Sequence, residues 1–465
     1  MRATDAGTRL GFVSERAVID RASATDLAFL AMDTGPVPQQ IGAVLVLDAE
    51  AAFDVSRAQE LIAQRILAIP RLRQRLVRVP PGCGRAIWVD DADFDVRRHV
   101  REVRCRNPGD QQALLDLAAA VVTEPLPRSR PLWSAVLITG LADNAVALVI
   151  VVHHVLVDGI GGLAVLATLV DQGIGPASQP AVAFPRRPPS TGRLAIDAVR
   201  GRLRAVLRVP AAWRRLRVSM AAGGGLAPAR AAPCSLVQRT GPRRRIAVVR
   251  ADRGNLRAAA HRHGGTVNDA VLAAIAGALY RVLVTRGESI DTIAIAVPVA
   301  GRRSATASEL GNQVGPMLVT VPGASTPSER IRRVAATVRA RKDSAAGPPP
   351  IAVLGTLFRV AAAFGAYHWY MNHQQRMHTL VSHVRGPEQP ITFGDAPINT
   401  IIPAAVGEAG NITVSFEVLS YAGTVTITAI ADPDHFPDLS NLTDALQGEL
   451  ALLTNETADS SRPAS

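Results

Sequence analysis

The residues best suited to chemistry lie in one short stretch, Val151–Gly162, which reads VVHHVLVDGIGG. Two adjacent histidines close an apolar run, and Asp158 follows the second by four residues. An imidazole, with an unperturbed pKa of about 6.5, can take a proton from an alcohol or an amine at neutral pH. Successive residues at a strand end face opposite sides, so only one of His153 and His154 can enter a given cavity. Gly159, Gly161 and Gly162 allow a tight turn and a close approach of backbone. The same letters also fit a buried histidine pair that caps a strand, with Asp158 as a turn residue or helix N-cap. A metal site is a third option, but adjacent histidines share one metal poorly and the sequence has no further ligand cluster.

The flanking patterns supply the elements that must hold this stretch. Ala145–Val152 is apolar throughout and reads as a buried central strand, and Leu163–Val170 reads as the helix after it. Gln40–Leu47 and Ala135–Ile138 are further strand candidates, with helices over Ser56–Ile69 and Leu114–Val122. Residues 1–175 therefore form one α/β unit. Residues 176–240 change character: Pro and Gly cluster at both ends around a basic helix candidate, Arg193–Arg208, which Pro210 ends or kinks. Residues 241–458 resume α/β. Strands are expected at Arg245–Val249, Ile293–Val299 and Pro316–Val321, and helices at Asn255–His263, Val267–Val284 and Ser328–Lys342. A hairpin is expected from Ile412–Leu419 to Thr424–Ile430 around Tyr421-Ala422-Gly423. Residues 459–465 read as a disordered tail. The two halves match in size and content, which suggests two related domains facing each other across a connection.

Composition narrows the function classes. The chain has 465 residues, enough for two cores. Its three cysteines, Cys83, Cys105 and Cys234, form neither a disulfide framework nor a CxxC pattern, which fits a reducing compartment. No signal-peptide pattern opens the chain, and apolar runs such as Ala270–Tyr280 fall short of the roughly 20 residues needed to span a bilayer. The expected location is cytoplasmic, soluble or peripheral. Net charge is +12, yet fifteen arginines and one acid, Asp197, lie between Arg186 and Arg245, so this segment holds more than the whole excess. A nucleic-acid protein would instead carry its basic face on a folded domain with aromatics for stacking. A basic amphipathic helix fits either a solvated connection or a surface that rests on anionic lipid or a lipid droplet.

The H-H-x-x-x-D-G pattern at His153, His154, Asp158 and Gly159 resembles the coenzyme A-dependent acyltransferase superfamily, which includes chloramphenicol acetyltransferase and peptide-synthetase condensation domains. Further blocks make the chain similar to the bacterial wax ester synthase/diacylglycerol acyltransferase family. They are Ser23–Met32 (SATDLAFLAM), Ile69–Leu76 (IPRLRQRL), Pro131-Leu132-Trp133, Val267–Ala273 (VNDAVLA), Leu310-Gly311-Asn312, and Leu419–Gly423 (LSYAG) leading to Asp432. They run in order along nearly the whole chain.

The resemblance implies two chloramphenicol-acetyltransferase-like domains with a tunnel between them, and an acyl-coenzyme A donor with no permanently bound cofactor or metal. The acceptor would be a diacylglycerol or a long-chain alcohol. It gives the base role to His154, a supporting role to His153, and a loop-holding role to Asp158 through an arginine, for which Arg73 or Arg75 is the expected partner. Pro131, Leu132, Trp133, Asn268, Asp269, Ser382 and His383 become candidates for substrate contact. Trp133 also fits plain packing, and Asn268 and Asp269 also fit helix caps. One block departs from the family's Ser-Asn-Val-Pro-Gly-Pro: here Ser382–Pro387 reads SHVRGP, expected as a loop. Other readings on the same fold are a non-lipid alcohol or amine acceptor, or a lipid-binding protein without catalysis.

Overall fold

The computed structural model describes residues 19–48, 53–171, 184–207, 230–300, 306, 310–312, 314–344 and 358–459. The first half contains α1 (Ala24–Met32), β1 (Gln40–Leu47), α2 (Val55–Ile66), β2 (Gln74–Val77), β3 (Ile87–Asp90), β4 (Val100–Arg104), α3 (Gln111–Thr123), β5 (Trp133–Thr139), β6 (Val146–His153) and α4 (Gly159–Leu169). Helix α5 (Thr191–Leu207) lies in the connection. The second half runs β7 (Arg245–Asp252), α6 (Arg253–Arg262), α7 (Val267–Thr285), β8 (Thr292–Ala300), β9 (Val314–Pro322), α8 (Pro327–Ser344), α9 (Ala366–His373) and β10 (Thr379–Arg385). It closes with β11 (Thr392–Phe393), β12 (Ala396–Ala405), β13 (Val414–Tyr421), β14 (Thr424–Ala431) and α10 (Leu439–Asp459).

Strand β6 sets the architecture of the first half. All eight of its residues are buried, because its β-branched run is covered on both faces. Leu148, Ile150 and Val152 pack with Ile62 and Ile66 of α2 and with Val165 and Leu169 of α4. Ala147, Val149 and Val151 pack on the other face against Leu114, Ala118 and Val122 of α3. The alternation carries on past the strand end, so His153 and His154 leave on opposite sides, as their adjacency predicts.

The second sheet runs β7-β14-β13-β10-β8-β9, with β10 parallel to both β8 and β13. Its outer face is covered by α7 and α10: Val381, Phe416, Val418 and Ile427 join Leu272, Leu279, Leu442 and Leu446 in one core. Helix α7 is long and apolar enough to cross a bilayer by length and composition, but most of it is buried in this core. The hairpin at Tyr421–Thr424 forms as expected, with Ala422 and Gly423 both at positive φ.

Residues 241–458 do not stay in one sheet, which corrects a linear division into halves. The first sheet runs β11-β12-β1-β6-β5-β4, so two strands of the second half complete the sheet of the first. Strand β12 pairs with β1 from Ile41–Ala405 to Leu47–Ile398. Without it β1 would expose a row of unpaired backbone groups at an edge. The exchanged segment is pinned at two points. Tyr421 donates its hydroxyl to the Ile398 carbonyl at 2.8 Å and accepts from the Ile391 amide at 3.0 Å. Asp171, just past α4, accepts from the Thr392 hydroxyl at 2.6 Å and from the Gly394 and Asp395 amides.

The connection is more than a tether. Leu194 and Ala198 of α5 are buried, with Leu194 against Cys83 and Ile87, and Arg21 reaches Asp197 at 2.6 Å. Arg208–Arg217, the rest of the basic segment, lies outside the described residues, as do residues 460–465 of the expected tail; Asp459 ends α10.

Gly42 lies on β1 against β6: a Cβ there would stand 2.4 Å from the Ile150 carbonyl oxygen. Gly42→Ala should therefore force β1 and β6 apart and cost about 1–3 kcal/mol of stability. Urea denaturation of the purified variant measures this, and an unchanged midpoint would show that the strands give way freely.

Candidate active site

His154 stands just past β6, at the N-terminal end of the turn that enters α4. Its backbone amide donates to the Gln39 carbonyl at 2.8 Å. Phe29 of α1 stacks on the imidazole, with centroids 4.1 Å apart and planes 10° from parallel. The Asn312 side-chain amide donates from Nδ2 to the His154 carbonyl at 2.6 Å, while its Oδ1 faces Nδ1 of the ring at 3.0 Å. A carbonyl only accepts, so the amide has one orientation, and Nδ1 must then carry the hydrogen it gives to Oδ1. Nε2 is left with its lone pair. Burial, the largest influence, lowers the His154 pKa and outweighs the hydrogen bonds that favour the charged ring. The result is a neutral imidazole of fixed tautomer, the form that accepts a proton.

The surrounding residues position this ring. His153 turns to the opposite side, accepts from the Val155 amide at Nδ1 and meets Asp33 through Nε2 at 3.1 Å. Burial raises the Asp33 carboxyl, but hydrogen bonds from His153 and Arg128 outweigh it and hold the pKa at about 2. Asp158 is fully buried and caps α4 by accepting from the Gly161 amide at 2.8 Å. Of the arginines expected beside it, Arg75 reaches Asp91 and Arg73 lies over the Phe184 ring. Gly159 opens α4 where a Cβ would stand 2.7 Å from Val384 Cγ2, so any side chain there would push α4 off β10.

His154 lines a cavity of about 210 Å³ between the two sheets. Its walls come from β1, β6, β12 and α4 on one side and from β8, β10 and β13 on the other. Most are apolar, including Ile41, Leu45, Ile150, Leu166, Leu380, Val384 and Leu419. The family resemblance implied a tunnel between the domains; this cavity lies between the two sheets, and the exchanged strand makes one of its walls. Among the described residues no group of three or more His, Cys, Asp or Glu side chains could hold a metal.

The other candidates divide. Ser382 lines the cavity. Its segment is a strand, not the expected loop: Ser382–Arg385 ends β10, because its backbone pairs with Glu417–Ser420 of β13. His383 therefore points away from the cavity, to Asn268 Oδ1 and Ser420 Oγ, each at 3.2 Å, and burial lowers its pKa to about 4. Asp269 forms a capping box with Thr266 at the start of α7. Substrate contact expected of Asn268, Asp269 and His383 thus has no counterpart in this cavity. Nor has it for Pro131, Leu132 and Trp133. The Leu132 carbonyl accepts from the His153 amide at 3.0 Å, and Trp133 is buried, stacked on His99 and bonded from Nε1 to the Leu72 carbonyl at 2.7 Å. These residues hold the histidine strand in place. Sequence reasoning missed Phe29 and Asn312 as ring contacts; both lie in blocks that carried the resemblance, with nothing in the spacing to bring them to His154. It also missed two cavity carboxyls, Glu408 and Glu417.

Comparison with known proteins agrees with this geometry. The model of the wax ester synthase/diacylglycerol acyltransferase catalytic domain matches residues 22–271, and that of the family's C-terminal domain matches residues 310–454. A Mycobacterium tuberculosis (H37Rv) protein named as a diacylglycerol O-acyltransferase is 30% identical over 454 residues, spanning 92% of this chain and 89% of its own. A second from that strain, with the same activity in its name, is 28% identical over 432 residues, 89% of this chain and 90% of its own. Among solved structures, the wax ester synthase/diacylglycerol acyltransferase of Marinobacter aquaeolei VT8 superposes with a TM-score of 0.67 at 22% identity, over 94% of this chain and all of that one. The starter condensation domain of rhizomide synthetase, solved with C8-CoA, gives 0.62 at 15% identity over 96% of each chain. The chain belongs to the wax ester synthase/diacylglycerol acyltransferase family, and it is an acyltransferase of the two-domain, chloramphenicol-acetyltransferase-like fold.

Proposed function

We propose that this acyltransferase moves a fatty acyl group from a coenzyme A thioester to the hydroxyl of a diacylglycerol or long-chain alcohol, giving triacylglycerol or wax ester. His154 is the general base, and no acyl-enzyme forms. The carrying observation is the neutral, oriented His154 ring at an apolar cavity, with Nδ1–H committed to Asn312. Nε2 takes the acceptor's hydroxyl proton as its oxygen attacks the thioester carbonyl. The tetrahedral intermediate then expels the thiolate, which receives the same proton back from Nε2. One ester bond forms, one thioester bond breaks, and the imidazole returns to its starting state. Holding both substrates together in a closed, apolar space supplies much of the rate.

The reading extends to a surface. Ile196, Val199 and Leu203 form an exposed stripe on α5, 56%, 51% and 63% accessible, beside Arg193, Arg200 and Arg204. Phe364 and Trp369 are 87% and 64% accessible. Arg85 lies within electrostatic reach of both Arg21, which holds α5, and Arg359, which precedes Phe364. Apolar side chains framed by arginines suit an anionic lipid surface. Because coenzyme A thioesters are cytoplasmic substrates, that surface would be the cytoplasmic face of a membrane or a lipid droplet.

His154→Ala should lower turnover of palmitoyl-coenzyme A with dioleoylglycerol or hexadecanol by about 10²–10⁴-fold. Thiol release and neutral-lipid product together measure it, and a variant that kept most of its activity would remove His154 as the base. In the wild type, the acid limb of kcat/KM should fall below the ordinary imidazole range, since the base is competent when neutral and its pKa is lowered. The titratable neighbours acting on it are His153 and Asp158. Asn312→Asp sets a carboxylate beside Nδ1–H, favours the imidazolium and should move that limb upward; an unmoved limb would mean that His154 does not govern the rate. Replacing Ile196, Val199 and Leu203 by Ser should cut co-sedimentation with phosphatidylglycerol vesicles at least about tenfold while turnover on a soluble short-chain alcohol holds. Unchanged vesicle binding would discard the surface assignment.

A further inference from the structure

Two carboxyls in the cavity wall have no part in the proton transfer just described. Glu417 lies on β13 opposite Ser382 of β10, on the same face as Val384 and Leu419, and it takes a hydrogen bond from Ser382. Glu408 follows β12 by three residues. Ala405 pairs with Ile41, whose other neighbour is Val152, so the chain leaves the sheet at the end that carries His154. Gly407 lies against Ser415, two residues before Glu417 on β13, and the charge of Glu408 adds to the rise of Glu417. Glu408 has no hydrogen-bond partner among the described residues, although it faces the cavity. Burial raises Glu408 to about 7 and Glu417 to about 8, so near neutral pH each spends much of its time as a carboxylic acid, with an O–H to donate.

Such groups are costly in an apolar cavity unless a ligand engages them. The hydroxyl of a simple fatty alcohol is committed to His154, and the rest of that molecule offers only methylenes. A diglyceride brings its free hydroxyl together with two ester groups whose carbonyls only accept. We propose that Glu408 and Glu417 are specificity-determining residues that hold the additional oxygens of a glycerolipid acceptor and so favour a diglyceride over a fatty alcohol. The inference rests on the acyltransferase reading above and narrows its acceptor.

The test measures kcat and KM with palmitoyl-coenzyme A and either dioleoylglycerol or hexadecanol, for the wild type, Glu408→Leu, Glu417→Leu and Glu417→Gln. Each Leu variant should lose about tenfold or more in kcat/KM on dioleoylglycerol, mainly through KM, and stay near wild type on hexadecanol. Glu417→Gln, which still donates and accepts, should restore most of the loss and guards against a folding defect in the Leu variants. Equal losses on both acceptors, a rise confined to the KM of palmitoyl-coenzyme A, or no change would each overturn the assignment while leaving the acyltransferase reading intact. A wild type that turned over neither acceptor would instead overturn both.

Discussion

The position of β1 between β6 and β12 is the constraint on which the rest of this molecule depends. β6 carries the histidines and is covered on both faces, so its direction is fixed by packing. β1 fixes its register, with Gln40 opposite His153. β12 then comes from the far half of the chain to satisfy the other edge of β1. Because that strand belongs in sequence to the second half and in space to the first, the halves cannot separate without breaking a ladder of backbone hydrogen bonds. The cavity is therefore a built feature of one closed structure, with walls that keep their spacing.

Within that frame the electrostatics follow from burial. Burial makes an imidazole prefer its neutral form and a carboxyl its protonated form. His154 moves down and Glu408 and Glu417 move up for the same reason. Outside the cavity, where partners are at hand, the balance reverses. Asp33 is held at about 2 by His153 and Arg128 despite its burial. One histidine is thus tied into a charged, structural contact and its neighbour left with a free lone pair, from a single strand end that sends them to opposite sides.

The departure of Ser382–Pro387 from the family pattern has a structural account. Asn and Pro suit a loop, whereas His383 and Arg385 sit in a strand that continues its pairing with β13 to Ser420. His383 uses both ring nitrogens, on Asn268 and Ser420, across the covered face of the sheet. His383 lies on the back of β10, whose cavity face is left to Ser382 and Val384.

The sequence by itself determined whatever depends on neighbours along the chain. Apolar periodicity and β-branched runs located β1, β6, α7 and the β13–β14 hairpin to within a few residues, because local burial pattern and turn chemistry specify them. Adjacency alone sent His153 and His154 apart, and the ordered blocks identified the family. Residues 382–385 form a strand and not the expected loop, because a short stretch of mixed polarity that pairs with a distant strand has no local signature. The exchange of β12, the meeting of Phe29, Asn312 and His154, and the location of Glu408 and Glu417 in one wall were decided only in three dimensions. Each joins residues more than a hundred positions apart, or on strands whose neighbours are set by sheet order. Backbone pairing and close packing, which choose those neighbours, leave no trace in the spacing of residues along the chain.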